Sequence, residues 1–228
     1  MITLGRLSVA GVSRFPMPQI FHRSTNTISK VSLFGALLFI VAVAGISWKV
    51  YRSPWMTEAL VAKEQPIPFS HEHHVGALGI DCRFCHTSVE DAPFAGMPAT
   101  KTCMGCHSRI WVDSPMLEPV RQSARTGEPI RWVRVHDVPD FAVFDHSAHV
   151  AGGVGCSTCH GRIDAMPLTW QTSSLHMRWC LDCHRQPQRH IRPRAQVFDM
   201  AWSPPPASDG PDAAAAPAHL MDCNTCHR

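Results

Sequence analysis

The sequence predicts short α-helices joined by irregular segments, with little β-sheet and one transmembrane helix near the N-terminus. The first observation behind this prediction is an uncharged run from Val31 to Trp48, VSLFGALLFIVAVAGISW. The second is that all ten cysteines fall into five copies of Cys-x-x-Cys-His. The third is that residues 51–228 hold all five copies, about 36 residues for each, less than the ~40 residues a domain generally needs to fold without a metal or staple.

The apolar run has nearly the ~20 residues needed to cross a bilayer as a helix. A buried core helix would show a polar face every 3.6 residues, and this run shows none. Basic residues without acidic ones precede the run, whereas both signs follow it. The positive-inside rule therefore predicts a cytoplasmic arm at 1–30, a transmembrane helix at 31–50 and an extracytoplasmic, periplasmic domain at 51–228.

A cleavable signal peptide is the competing interpretation of the N-terminus. The run is long, and Trp48 to Arg52 stand where a small-residue cleavage site would be expected, so we expect the segment to be retained. Met17, followed by a short basic arm, is an alternative initiator.

Cys-x-x-Cys-His is the attachment signature of c-type haem: two cysteine sulfurs add to the vinyl groups of one porphyrin, and the following histidine ligates the iron. Zinc or disulfide bonding gives no reason for a histidine after every second cysteine. The sequence therefore predicts five covalent haems c. The predicted thioether cysteines are Cys82, Cys85, Cys103, Cys106, Cys156, Cys159, Cys180, Cys183, Cys223 and Cys226, and the predicted proximal iron ligands are His86, His107, His160, His184 and His227.

An internal repeat organises the first four motifs. Residues 69–107 and 144–184 each begin with Phe-x-His-x-x-His and continue with two haem motifs, with an offset of about 75 residues. The fifth motif, at 219–228, follows the Pro- and Ala-rich stretch 203–218, which predicts a stiff linker and a fifth haem set apart from the others.

Distal iron ligands decide between electron transfer and catalysis, because substrate-reducing haems leave the sixth position open. The two histidines of each frame, one helical turn apart, are expected to serve different haems. The distal candidates are His71, His74, His146, His149, His136 and Met177, with His176, His190 and His219 as further possibilities for the fifth haem. These side chains can fill the sixth coordination position of every iron, which favours electron transfer without a catalytic haem.

Between the repeats, Ser114-Pro115 and Gly127 predict the two ends of a short helix. The alternation in residues 131–136 predicts a brief strand. The net charge of +3, with no basic stripe, excludes nucleic acid as the expected partner.

Residues 30–228 resemble the membrane-anchored pentahaem cytochrome c subunit of bacterial alternative complex III, a quinol:electron acceptor oxidoreductase. The resemblance rests on the two frames Phe69–His74 and Phe144–His149, on the segment 132–141, and on the motifs beginning at Cys82, Cys156 and Cys180. It implies a multihaem cytochrome c fold, class III-like and internally duplicated.

The resemblance implies an electron-transfer subunit without activity of its own, in respiratory or photosynthetic electron transport. Electrons from quinol would pass from a polytopic quinol-binding subunit, beside an iron-sulfur subunit, through the haems to a periplasmic carrier or terminal oxidase. The alternative is a self-sufficient membrane-anchored quinol dehydrogenase that feeds a periplasmic reductase. A multihaem reductase would normally show an open iron or a Cys-x-x-Cys-Lys motif, and neither is evident.

Overall fold

The computed structural model describes residues 20–203 and 217–227. The chain divides between Val50 and Tyr51 into two compact units. Most of the predicted arm at 1–30, the alternative initiator Met17 and residues 204–216 of the predicted linker lie outside the described residues.

The helix of the first unit, α1, extends from Ser24 to Tyr51 and so begins before the apolar run. It is about 42 Å long at 1.5 Å per residue, which is enough to cross a hydrocarbon core of ~30 Å. None of its residues is buried, and large side chains such as Leu33 and Phe34 are each 71% exposed. This helix fits a single-pass membrane anchor.

The second unit consists of short helices and irregular segments. Its α-helices in the described residues are α2 Pro54–Thr57, α3 Cys82–Cys85, α4 Thr100–His107, α5 Glu118–Thr126, α6 His146–Ala151, α7 Cys156–His160, α8 Met177–Arg185 and α9 Cys223–Cys226. A π-helical segment covers Glu72–Ala77, and 3₁₀ turns cover Pro115–Leu117, Ile163–Ala165, Pro187–Arg189, Arg194–Gln196 and Ala218–Met221. Among the described residues, β-pairing amounts to three isolated bridges. The predicted fold class is confirmed.

The helix predicted between Ser114 and Gly127 is confirmed. Pro115 begins a 3₁₀ turn that leads directly into α5, and Gly127 ends the helix in the left-handed conformation at φ 76°. Glycine adopts this conformation without steric cost, which is why it so often follows a helix.

The strand predicted at residues 131–136 is wrong. The segment forms no ladder; instead, the side-chain amide of Gln65 pairs with the backbone of Val133. Gln65 Nε2 donates to the Val133 carbonyl at 2.8 Å, and Val133 N–H donates to Gln65 Oε1 at 2.9 Å. A side chain from a distant part of the sequence therefore satisfies the hydrogen-bonding groups that a neighbouring strand would otherwise pair with.

Among the described residues of the second unit, protein side chains form two small apolar clusters. One buries Ile67, Leu117 and Val120, and the other buries Val89, Val150 and Val197. Large apolar side chains beside the motifs stay exposed, including Phe84 and Trp111 at 57% each and Phe141 at 67%. These clusters hold the segments that carry the motifs.

The fifth motif packs against the rest of the second unit, contrary to the expectation of a haem set apart. Val143 N–H donates to the Cys226 carbonyl at 2.7 Å. The turn that precedes α9 packs on α8, where the His184 ring donates to the Leu220 carbonyl at 2.9 Å. The spacing along the sequence did not show that the chain returns to the other motifs.

Candidate haem-binding sites

Each of the five motifs lies on a helix, namely α3, α4, α7, α8 or α9. Residues three apart on a helix share one face, so both cysteines of each motif can meet the same porphyrin edge. In α3 this turn is fixed by Asp81, whose carboxylate accepts a hydrogen bond from Arg83 N–H at the helix start. The local helix thus supplies the spacing that two thioether bonds to one haem require.

None of the ten cysteines is joined to another in a disulfide bond. Burial raises the pKa of Cys156 to about 11 and that of Cys159 to about 12. A catalytic or redox-sensing cysteine has a lowered pKa and an electropositive surrounding, so these thiols are of a different kind. Within the described ranges, no three His, Cys, Asp or Glu side chains gather into a protein-only metal site.

The histidines that end the motifs are mostly held through Nδ1 by backbone carbonyls. His86 donates to Gly96 at 2.8 Å, His184 to Leu220 at 2.9 Å and His227 to Phe141 at 2.9 Å, while His107 lies 3.2 Å from the Ile110 carbonyl. A carbonyl can only accept, so Nδ1 carries the proton and Nε2 keeps a lone pair. This is the tautomer that an iron ligand needs, with its ring fixed by a second hydrogen bond.

The two Phe-x-His-x-x-His frames have the same internal geometry. Phe69 stacks on His74 and Phe144 on His149, each pair with centroids 4.4 Å apart. The same phenylalanines meet the first histidine of their frame edge to face, at 4.9 Å for His71 and 4.8 Å for His146. The phenylalanine of the frame therefore orients both imidazoles, a role that the sequence pattern alone did not reveal.

The second histidine of each frame also bonds to the backbone of its own frame. His74 Nδ1 donates to the Ser70 carbonyl at 2.8 Å, and His149 Nδ1 donates to the Asp145 carbonyl at 2.6 Å. Both partners lie four residues earlier, so the two copies fix this ring by the same bond. In each case Nε2 points away from the bond and is free to accept a metal.

The first histidine of each frame instead contacts the opposite repeat. His71 Nδ1 lies 3.0 Å from Thr169 Oγ1, and His146 Nδ1 donates to the Pro93 carbonyl at 2.8 Å. The backbone follows the same rule, since Glu72 N–H donates to Met166 O and His146 N–H donates to Pro93 O, both at 3.1 Å. The two frames thus dock reciprocally, each on the loop after the first motif of the other repeat.

Close approach in this reciprocal docking requires a residue without a side chain. Gly76, in the π-helical segment, lies so near Asp164 that a Cβ atom there would be 2.5 Å from the Asp164 carbonyl oxygen. Thr169 contacts His71 and Pro93 contacts His146, yet neither residue carries a sequence signal of a functional site.

Imidazole rings from the frames and the motifs lie in pairs, called facing pairs below, at repeated separations of their ring centroids. With metal–nitrogen bonds of about 2 Å, two imidazoles on opposite sides of one metal have ring centroids roughly 6 Å apart. The centroids of His74 and His107 are 6.2 Å apart, and those of His149 and His184 are 6.1 Å apart. His146 and His160 are 6.4 Å apart.

The electrostatics keep several of these rings neutral. Burial, with a smaller effect from the neighbouring His86, lowers the pKa of His71 to about 4. Burial likewise lowers the pKa of His160 to about 3 and also lowers that of His149. Neutral imidazole is the form that binds iron, so the donor set of paired neutral imidazoles and helical cysteine pairs fits haem c.

His136 and Met177 have different surroundings. His136 is largely buried, and its Nε2 lies 3.2 Å from Nδ1 of His160, with ring centroids 4.3 Å apart. That separation is shorter than the separations of the facing pairs. Met177 begins α8 and is 59% exposed.

Comparison with known proteins agrees with this geometry. Residues 142–228 match the family described as cytochrome c7 and related cytochrome c. The chain is 39% identical over 99 residues to the multiheme cytochrome c subunit of menaquinone reductase from Nitratidesulfovibrio vulgaris. This match covers 43% of the chain and 46% of that relative, so the chain spans about half the length of the relative.

The chain contains a multihaem domain like that of cytochrome c7, mostly helical and irregular, of a kind that binds haem iron and takes part in electron transport. The similarity of residues 142–228 to this family implies covalently bound haem c.

Proposed function

We propose that this chain carries five covalent haems c and relays electrons between a membrane quinone pool and an extracytoplasmic carrier or terminal oxidase. It would act as one subunit of a membrane complex. The observation that carries the proposal is the facing pairs of imidazoles, since a filled sixth position suits electron transfer rather than substrate reduction.

In this proposal the ten motif cysteines form the thioether bonds and the five motif histidines are the proximal ligands. The distal ligands follow from the facing rings: His74 for the iron of His107, His149 for that of His184, and His146 for that of His160. His71 would serve the iron of His86, the histidine with the strongest electrostatic effect on it. Each frame thus supplies two different haems.

Met177 is the proposed distal ligand of the fifth haem. It lies three residues before Cys180, on the same face of α8. Burial raises the pKa of Cys180, and nearby Cys226 of the fifth motif raises it further, so this face is close to α9. A haem attached to α9 would cover the exposed thioether sulfur of Met177.

His136 is then a hydrogen-bonding partner rather than a ligand. With Nε2 of His160 on iron, Nδ1–H of His160 would donate to Nε2 of His136. This accounts for six distal candidates and five irons.

When bound, the haems supply reversible one-electron transfer at iron. The chain's own part is to hold each ring pair in place through the Nδ1 hydrogen bonds and the two phenylalanines, so that ligation changes little between redox states. The reciprocal docking of the repeats keeps the first and third motifs together.

The proposed assembly is a complex like bacterial alternative complex III, in which α1 anchors the subunit with its N-terminus in the cytoplasm and the haem domain in the periplasm. Its partners would be a polytopic quinol-binding subunit and an iron-sulfur subunit. The motifs at Cys82, Cys156 and Cys180 and the two histidine frames support this reading.

A second candidate function is electron delivery toward the quinone. The relative that supports it is named as a subunit of menaquinone reductase, which implies the opposite direction of electron flow. The two candidates share the haem relay and differ only in what donates and what accepts.

The test uses the membrane complex purified through this chain and, separately, the chain alone in liposomes. We expect quinol to reduce the haems rapidly in the complex but not in the chain alone, because one helix cannot enclose a quinol head group. Rapid reduction of the chain alone would contradict this account and support the self-sufficient dehydrogenase. Oxidation of pre-reduced haems by menaquinone in the complex, without haem reduction by quinol, would establish the second candidate.

A further inference from the structure

Arg192 is a buried cation directly beneath the third haem motif. It is 5% exposed, and its Nη2 donates to Ser157 Oγ and Thr158 Oγ1, both at 3.1 Å. These are the two residues between Cys156 and Cys159. Nη1 donates to the Asp199 carbonyl at 3.0 Å, and Nε is buried without a hydrogen-bond partner.

The charge of Arg192 has no carboxylate against it in the part of the chain that the structure describes. All of its hydrogen-bond acceptors are neutral, the Trp202 ring lies 4.3 Å from its Cζ, and the Asp199 carboxylate acts on it only at longer range. Burying a charge without a counter-ion is unfavourable. The guanidinium nevertheless stays charged at any physiological pH.

The backbone makes room for this side chain. Gly155 precedes Cys156, and a Cβ atom there would lie 2.0 Å from Cζ of Arg192. The Arg192 N–H also donates to the Gly153 carbonyl at 2.9 Å. The guanidinium is therefore held against the motif from several sides and cannot turn away toward solvent.

We infer that Arg192 raises the reduction potential of the haem attached at Cys156 and Cys159 above the value its ligands alone would give. The inference rests on the proposed function, namely that this motif carries an electron-transfer haem. Reduction adds one electron, so the ferric haem has one more positive charge than the ferrous haem. A fixed cation nearby disfavours the ferric form more and shifts the equilibrium toward reduction.

The size of the effect follows from Coulomb's law. A unit charge about 10 Å away in a medium of effective dielectric about 20 changes an equilibrium constant by about tenfold. For a one-electron couple, a tenfold change corresponds to about 59 mV. A solvent-exposed charge is screened and does much less.

Redox titration of the holoprotein with Arg192→Met, Arg192→Lys and the exposed control Arg162→Met tests the inference. Arg192→Met should lower the midpoint potential of one haem by about 59 mV, which corresponds to a tenfold change in its reduction equilibrium constant. Arg192→Lys should keep most of the parent potential. Arg162, beside the same motif, is paired with Asp164, and its side chain is 58% exposed. Arg162→Met should therefore leave all potentials nearly unchanged.

A second pair of variants keeps the arginine and changes its counter-charge. Ser157→Asp introduces a carboxylate where Nη2 already donates, and it should lower the same potential. Ser157→Asn is the matched control without charge and should not. This pair keeps the inference falsifiable even if Arg192→Met fails to fold, because an unchanged potential in Ser157→Asp would overturn it.

The haem concerned is identified with a variant that lacks it, Cys156→Ala/Cys159→Ala. The potential lowered in Arg192→Met and Ser157→Asp should be the one missing from this variant. Unchanged potentials, or a shift of a different haem, would overturn the inference. A parent protein without haem at this motif, seen by mass spectrometry of its peptides, would instead overturn the proposed function.

Discussion

His74 and His73 are adjacent histidines with opposite expected roles. The His74 ring faces His107 at a centroid distance of 6.2 Å, is part-buried, and is held by Phe69 and the Ser70 carbonyl. His73 is exposed, and its ring stacks on Trp111 at 5.8 Å. Substituting each by alanine removes the same chemical group from neighbouring positions.

Replacing His74 by alanine should leave the iron of His107 without its sixth ligand. The ferrous protein should then bind about one carbon monoxide per chain, and about one-fifth of the haem absorption should change, since one of five proposed irons is opened. His73→Ala should bind none and keep the parent spectrum. The assay is carbon monoxide titration of the dithionite-reduced proteins, followed in the Soret band.

His73 could move into the vacated position, so the double variant His73→Ala/His74→Ala completes the set. Its carbon monoxide binding should also be about one per chain. If neither His74→Ala nor the double variant binds carbon monoxide while five haems remain attached, the pairing of His74 with His107 is wrong. Binding by His73→Ala alone would show that the frame was assigned to the wrong histidine.

Variants at two further positions, Met177 and Gln65, test other parts of the structure. Met177→His should lower the highest midpoint potential, because thioether sulfur favours ferrous iron more than imidazole does. Met177→Leu should instead create an iron that binds carbon monoxide. Five unchanged potentials and no new ligand binding would show that Met177 is a packing residue and would make His136 the expected fifth ligand. Gln65→Leu removes two hydrogen bonds to Val133 and should lower the free energy of unfolding by about 1 kcal/mol. Denaturant titration measures this change, and the haem content should stay the same. A free energy of unfolding equal to that of the parent would show that the two bonds make no net contribution to stability.

The sequence predicted those features that depend on neighbouring residues. The motif cysteines and histidines, the two frames and the helix ended by Gly127 are local patterns, and the helices that carry them are where the patterns predict. The predicted strand at 131–136 failed because its partner is a single side chain, Gln65, far away in the sequence.

Features that arise from contacts between distant segments carried no sequence signal. The reciprocal docking through Thr169 and Pro93 depends on how two repeats fold against each other. The return of the fifth motif to α8 depends on contacts across a long stretch of chain. Nothing in the sequence around Arg192 indicates that it is buried beneath Cys156, in a space that Gly155 leaves open.

Each of the five motifs is proposed to hold one haem by two thioether bonds. Intact-mass measurement of the denatured holoprotein tests it most directly, because covalent haem stays attached when non-covalent ligands are lost. We expect a single species with the mass of the chain plus five haems, and peptide mapping should find one haem on each motif. A mass corresponding to four or fewer haems in fully matured protein, or any motif recovered with two free thiols, would contradict it.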